Sequence, residues 1–158
     1  MKLEVRKADI CDVFRIYDKL RAIDNYEILA ASGDTPLDAL LQGFKYNVES
    51  YCITKDGRPI AIGGISVAKD GSEAYPWMLA TEELVQHKAF FLRVVKPFVH
   101  DMLLRYPRLR NFALASNTAH IRWLKWLGFS ITRTIDDYGY LKVPFVEFKM
   151  ERKECVTP

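Results

Sequence analysis

The sequence predicts an α/β domain built on a mixed sheet. Hydrophobic spacing switches repeatedly between the helical period and the strand period, and Gly, Pro and Asp fall at the switches. Residues 117–129 (NTAHIRWLKWLGF) also form a compact helical unit between two β-like runs, NFALAS and SITRTI. Asn117 and Thr118 both suit an N-cap, and Ile121, Leu124, Trp126 and Leu127 can build an apolar stripe. Gly128 can end the helix in a left-handed conformation without a Cβ clash. Strand, capped helix and Gly stop recur across α/β proteins, so this unit by itself names no function.

Taken in order, residues 3–6 (LEVR) alternate apolar and charged side chains as a short strand does. Asp9, with Asp12 three residues on, offers an N-cap to an amphipathic helix carrying Ile10, Val13, Phe14, Tyr17 and Leu20. Ser32, Gly33 and Asp34 break that pattern. Thr35 and Pro36 start a second helix with Leu37, Leu40, Leu41 and Phe44 on its apolar face.

The period then becomes strand-like. Residues 51–54 (YCIT) and 59–67 (PIAIGGISV) read as a hairpin turning at Asp56 and Gly57. The paired Gly63 and Gly64 mark a bulge, a bend or a close backbone approach. Residues 73–81 (EAYPWMLAT) make a further strand, which Pro76 leaves bulged or unpaired on one side because it has no N–H to donate. Thr81 suits the N-cap of one long helix, with Glu82 and Glu83 favourable at its start. Phe90, Val94, Phe98 and Met102, and in parallel Phe91, Val95, Val99 and Leu103, give it a wide apolar face. Arg93, Lys96 and His100 lie on the other side and read as a solvated face; Pro97 should kink the helix and Pro107 ends it. After residues 130–135, a turn at residues 136–139 leads to a last strand at residues 141–150. The expected order is β, α, α, β, β, β, α, β, α, β, β, in one domain over residues 1–150 with a polar tail over residues 151–158.

Composition narrows the function classes. A chain of 158 residues with 49% hydrophobic and 27% charged residues can bury a core and is not expected to be disordered. A net charge of +3 names no nucleic-acid partner. Cys11, Cys52 and Cys155 are widely spaced and belong to no ligand cluster, so neither a disulfide framework nor a metal site is expected, and a reduced intracellular setting follows. The absence of a long apolar run and of a charged-then-apolar leader argues against a membrane span and a secretory signal.

The element order, together with Asn117, Gly128 and Phe129 at their spacing, resembles the GCN5-related N-acetyltransferase superfamily. The resemblance covers nearly the whole chain and implies a mixed, mostly antiparallel sheet flanked by helices. More narrowly, the short length and the wording of residues 117–129 are similar to the internal virion protein A family of short-tailed bacteriophages.

The superfamily resemblance implies acetyl-CoA as cofactor and transfer of an acyl group to an amine by direct attack. It assigns the pyrophosphate cradle to residues 86–91, where Gln86 fits the first position, Ala89 is small, and Lys88 adds positive charge. Phe91 stands where almost no side chain is wanted, and Glu82 and Glu83 put negative charge close by. It assigns the pantetheine to main-chain groups near Leu79 and Thr81, and a cofactor contact to Asn117. The usual proton-donating tyrosine is replaced by Leu124, with Tyr138 and Tyr140 as possible substitutes. For the base it points to Glu73, whose pKa could rise beside Tyr75 and Trp77; His120 is a second candidate.

Two readings follow. One is an acetyl-CoA-dependent N-acetyltransferase-like protein with a degenerate cofactor loop. The other is a non-catalytic bacteriophage protein of the same fold, acting in virion assembly or host interaction, with phage or host proteins as partners. Both place the chain in the cytoplasm, that of the host if a phage encodes it, and the second allows association with the virion.

Overall fold

A computed structural model describes residues 1–153; the last five residues of the expected tail, with Cys155 among them, lie outside that range. Strand β1 (Leu3–Lys7) leads into helix α1 (Ile10–Ile16), whose start carries the expected capping box. Asp12 accepts the Asp9 N–H at 2.8 Å and both Arg6 terminal nitrogens at 2.7 and 2.8 Å, which fastens the helix to the end of β1.

Where one helix was expected before Ser32, the structure has two, α1 and α2 (Ala22–Ser32). The chain leaves helical geometry because Leu20 and Arg21 join the sheet instead. Leu20 bridges Thr81, and the Arg21 N–H donates to the Ala80 carbonyl at 2.9 Å. Gly33 then closes α2 at φ 76°, and α3 (Pro36–Tyr46) begins as expected, with the Thr35 hydroxyl accepting the Asp38 N–H.

Strands β2 (Glu49–Lys55) and β3 (Arg58–Val67) form the expected hairpin, turning through Asp56 and Gly57, both at positive φ. Gly63 and Gly64 stay in register with both neighbouring strands. Their role is close approach: a Cβ on Gly64 would lie 2.5 Å from the Glu49 carbonyl oxygen, and one on Gly63 2.7 Å from that of Trp77. Strand β4 (Ala74–Ala80) pairs with β3 along its whole length.

The single long helix expected after Thr81 is also two, a one-turn α4 (Glu82–Gln86) and α5 (Lys88–Arg105), separated at His87. The Thr81 hydroxyl makes no cap bond; it donates instead to the Ile60 carbonyl. Strand β5 (Arg108–Leu114) is followed by α6 (Thr118–Leu127), with Asn117 at its N-cap and Gly128 at φ 106° closing it, as expected. Strands β6 (Ser130–Tyr138) and β7 (Val143–Glu151) finish the fold. Their turn comes later than expected because residues 136–138 extend β6, and the Tyr140 and Leu141 N–H groups then donate to Ala31 and Ala30 on α2. Strand β7 takes in Glu151, which the tail was expected to contain.

Among the described residues seven strands lie in the order β1-β2-β3-β4-β5-β7-β6, and the single parallel pair is β4 with β5. This is the mixed, mostly antiparallel sheet expected. Alternation along β3 sends Ile62 to the α1 and α3 side, among Val13, Ile16 and Leu40, and Ile65 to the α5 and α6 side, among Val99, Met102, Leu124 and Leu127. Helices thus cover both faces. None of those described is long and apolar enough to cross a membrane.

Candidate functional site

The sheet opens at its one parallel seam. β4 and β5 are paired only at Ala74 and Leu109, and the Pro76 carbonyl, which faces β5, is met by the side-chain amide of Asn111 at 3.0 Å rather than by a strand partner. Pro76 thus marks the start of the unpaired side that its missing donor predicted. Beyond it the strands diverge around a cavity of about 570 Å³, with Trp77, Asn111, Phe112, His120 and Leu124 among its walls.

Strand alternation decides which main-chain groups face this opening. The Ala80 N–H and C=O both turn away from β3, so those of Met78, two residues back, do the same. Leu79 is set against Ile62, and the Thr81 N–H donates to the Ile60 carbonyl at 2.9 Å. The groups turned toward the opening are therefore those of Met78 and those of Ala80, the latter taken up by Asp24 and Arg21, one residue before the expected Leu79 and Thr81.

Helix α2 closes the wide end. Asp24 and Glu27 lie three residues apart and so share a helix face. Asp24 accepts the Ala80 N–H of β4 at 3.0 Å, and Glu27 accepts the Leu114 N–H of β5 at 2.7 Å. One carboxylate thus holds each side of the gap. Asp24 is also bound by Arg21 at 2.7 and 3.1 Å, both side chains being buried, and the Arg21 guanidinium stacks over Trp123 with 5.6 Å to the ring centroid. Phe91 packs on the same tryptophan at 5.0 Å between ring centroids and is 2% exposed.

Glu27 has a second set of partners. Its other oxygen accepts from the Asn117 amide at 3.3 Å and stands 4.0 Å from His120 Nδ1. Burial holds the His120 pKa below its ordinary value, although Glu27 and Asp24 pull it upward. A neutral imidazole beside a fixed carboxylate can accept a proton, and His120 is the sequence-predicted base that borders the cavity.

The other expected residues are spread more widely. Glu73, at the far end of β4, receives the Tyr75 hydroxyl at 2.6 Å and Arg110 at 3.0 Å, with Arg108 at 3.8 Å. The Tyr75 hydrogen bond, with those cations, outweighs desolvation and lowers its pKa, the reverse of the rise expected from its apolar neighbours. Gln86 and Lys88 are exposed on either side of the His87 break. Asn117 is 3% exposed, and its carbonyl oxygen accepts the His120 N–H at 3.4 Å. Glu83 is held by Lys55 at 2.7 Å and Arg58 at 2.8 Å, which ties its charge to the β2–β3 hairpin. Sequence reasoning missed Arg21, Asp24 and Glu27; the available signal was the Asp24/Glu27 spacing in a segment taken as the continuation of α1.

Residues 49–134, more than half of the chain, match the model of the family described as bacteriophage T7, probable scaffold protein Gp13. The chain belongs to this Gp13 family. No curated protein matches it in sequence. Among solved structures, it is similar to the ribosomal-protein-S18-alanine N-acetyltransferase of Escherichia coli, at 15% identity over 99% of this chain and 100% of that one, with a TM-score of 0.71. Ard1 of Thermoplasma volcanium is similar at 16% identity, 98% and 100% coverage and a TM-score of 0.74. An acetyltransferase of Elizabethkingia anophelis with acetyl-CoA bound is similar at 14% identity, 95% and 98% coverage and a TM-score of 0.65. At these identities the likeness shows the fold: the Gp13-family chain has the architecture of the GCN5-related N-acetyltransferases.

The residues of this Gp13-family chain do not fit acetyl-CoA in the manner the fold implies. At the end of β4 the Ala80 donor is held by Asp24 and the Ala80 acceptor by the Arg21 N–H. In the first turn of α5, the position wanting almost no side chain carries the buried Phe91 ring. The position of the usual proton-donating tyrosine carries Leu124, buried in the apolar core.

Proposed function

We propose that this Gp13-family chain is a non-catalytic protein of phage particle assembly, using an acetyltransferase architecture as a rigid scaffold domain over residues 1–150. The observation that carries this reading is that Asp24 accepts the main-chain N–H of Ala80, at the end of β4 to which the superfamily resemblance assigns the pantetheine. The family description as a probable scaffold protein supports it. On this reading the protein works in the host cytoplasm, associates with the forming virion, and has phage or host proteins as partners.

Phage complementation tests the proposal. In a phage lacking this gene, the wild-type chain and a His120→Gln variant should restore particle yield equally, because no proton transfer is required. Restoration by the wild type alone, with the variant folded and expressed at the same level, would overturn the non-catalytic reading.

A second reading, acyl transfer from acyl-CoA to an amine, is favoured by one observation: the cavity of about 570 Å³ has His120 and Glu27 at its wall. Under it, Glu73 and His120 are the candidate bases, and Leu79, Thr81, Gln86, Lys88 and Asn117 the candidate cofactor contacts. The Asp24–Ala80 bond and the Phe91 ring stand against it.

A further inference from the structure

The excess of positive over negative charge lies in two helices. Helices α5 and α6 together contain six Lys and Arg residues (Lys88, Arg93, Lys96, Arg105, Arg122 and Lys125) and one acid, Asp101. The whole chain carries a net charge of only +3, so everything outside these two helices is net negative. The single acid is itself bound to Arg105 at 3.0 Å.

Helix geometry turns this composition into a surface. Arg93, Lys96 and His100, spaced by three and four, form one exposed stripe on α5; Arg122 and Lys125, spaced by three, form another on α6. Trp126 joins the two stripes: it is 48% exposed, and the Lys96 ammonium lies 4.5 Å from its ring centroid. Among the described residues, none of Arg93, Lys96, Arg122 and Lys125 has an acidic partner. Exposed cations in a protein with so many ion pairs elsewhere, set around a half-exposed indole, have the make-up of a polyanion site that also offers a base a ring to stack on.

We infer that the α5–α6 face binds the phosphate backbone of a nucleic acid, with Arg93, Lys96, Arg122 and Lys125 contacting phosphates and Trp126 available for stacking. The sequence reading of Arg93, Lys96 and His100 as a solvated face is revised by the second stripe on α6, which lies far off in the chain and becomes adjacent only in the fold. Binding here is independent of the β4–β5 cavity and of whether acyl-CoA is accepted there.

The test is fluorescence anisotropy with a labelled 20-nucleotide DNA, single-stranded in one arm and duplex in the other, against the purified chain over a salt series. Four phosphate contacts predict a slope of log K against log salt of about −3 for the single strand and about −4 for the duplex. Charge reversal in R93E/K96E/K125E should weaken binding at least about tenfold and flatten the slope, while K69E, in an exposed loop elsewhere, should leave both unchanged. Trp126→Ala should weaken the single strand more than the duplex. Thermal melts of each variant check folding. No binding at low salt, equal binding by the triple variant, or equal affinity for poly-glutamate would each overturn the inference, the last by pointing to an acidic protein as the occupant.

Discussion

Asp24 accepts the main-chain N–H of Ala80 at 3.0 Å, so a carboxylate from α2 occupies the last donor of β4 on the open side of the sheet. The same carboxylate neutralises Arg21, and both side chains are buried. Taking away one member leaves the other charge buried without a partner. Asp24→Ala should therefore lower unfolding stability by about 3–5 kcal/mol. Urea denaturation measures this, and a loss below about 1 kcal/mol would mean that the pair is much less enclosed than the geometry indicates.

His120 and Glu83 act in separate windows of the pH profile of stability. His120 has its pKa lowered by burial, so the folded state prefers the neutral ring. Its contribution is present above the unfolded value of 6.5 and is lost as pH falls from there through the folded pKa. Glu83 is held down to about 2 by hydrogen bonds from Arg58 and Lys55, and its contribution is present above 4.5 and lost as pH falls toward 2. Melting temperature should decline in both windows. His120→Gln should flatten the first and leave the second, and Glu83→Gln should leave the first and shallow the second, to which Asp12, Glu73 and Glu147, also lowered, contribute the rest.

Gly64 has no room for a side chain. An added Cβ would lie 2.5 Å from the Glu49 carbonyl oxygen and 2.6 Å from the Asn47 amide nitrogen, and the first of these is backbone in a paired strand. Gly64→Ala should cost about 1–3 kcal/mol through forced displacement of β2. Equilibrium unfolding would show this directly, whereas Gly57→Ala tests a different effect: its turn has open space but a φ of 79°.

Much of the fold was readable because local signals and tertiary structure agree. Asn117 and Gly128 bound α6, Thr35 and Pro36 start α3, and Pro76 marks where β4 loses a neighbour. The break between α1 and α2 was hidden for a physical reason. Tyr17 and Leu20 continue a helical spacing, yet Leu20 and Arg21 are drawn off by a bridge and a hydrogen bond to residues about 60 positions further along the chain. No sequence-local signal reports such a contact. The site was less legible for the same reason. Phe91 and Leu124 could be recognised as departures from an acetyltransferase pattern, but the hold of Asp24 and Glu27 on the Ala80 and Leu114 N–H groups, from a helix that sequence spacing did not separate, emerges only in three dimensions. Glu73 shows the limit most plainly: Tyr75 predicted an apolar surrounding, and the structure adds Arg108 and Arg110 from β5.

The closed acyl-CoA position is the claim on which the account of function rests. Isothermal titration of the purified chain with acetyl-CoA and with CoA tests it most directly. The account predicts no saturable heat at millimolar ligand and no rise in melting temperature. Saturable binding in the micromolar range, weakened by Lys88→Ala, would contradict it and return the chain to the acyltransferase reading.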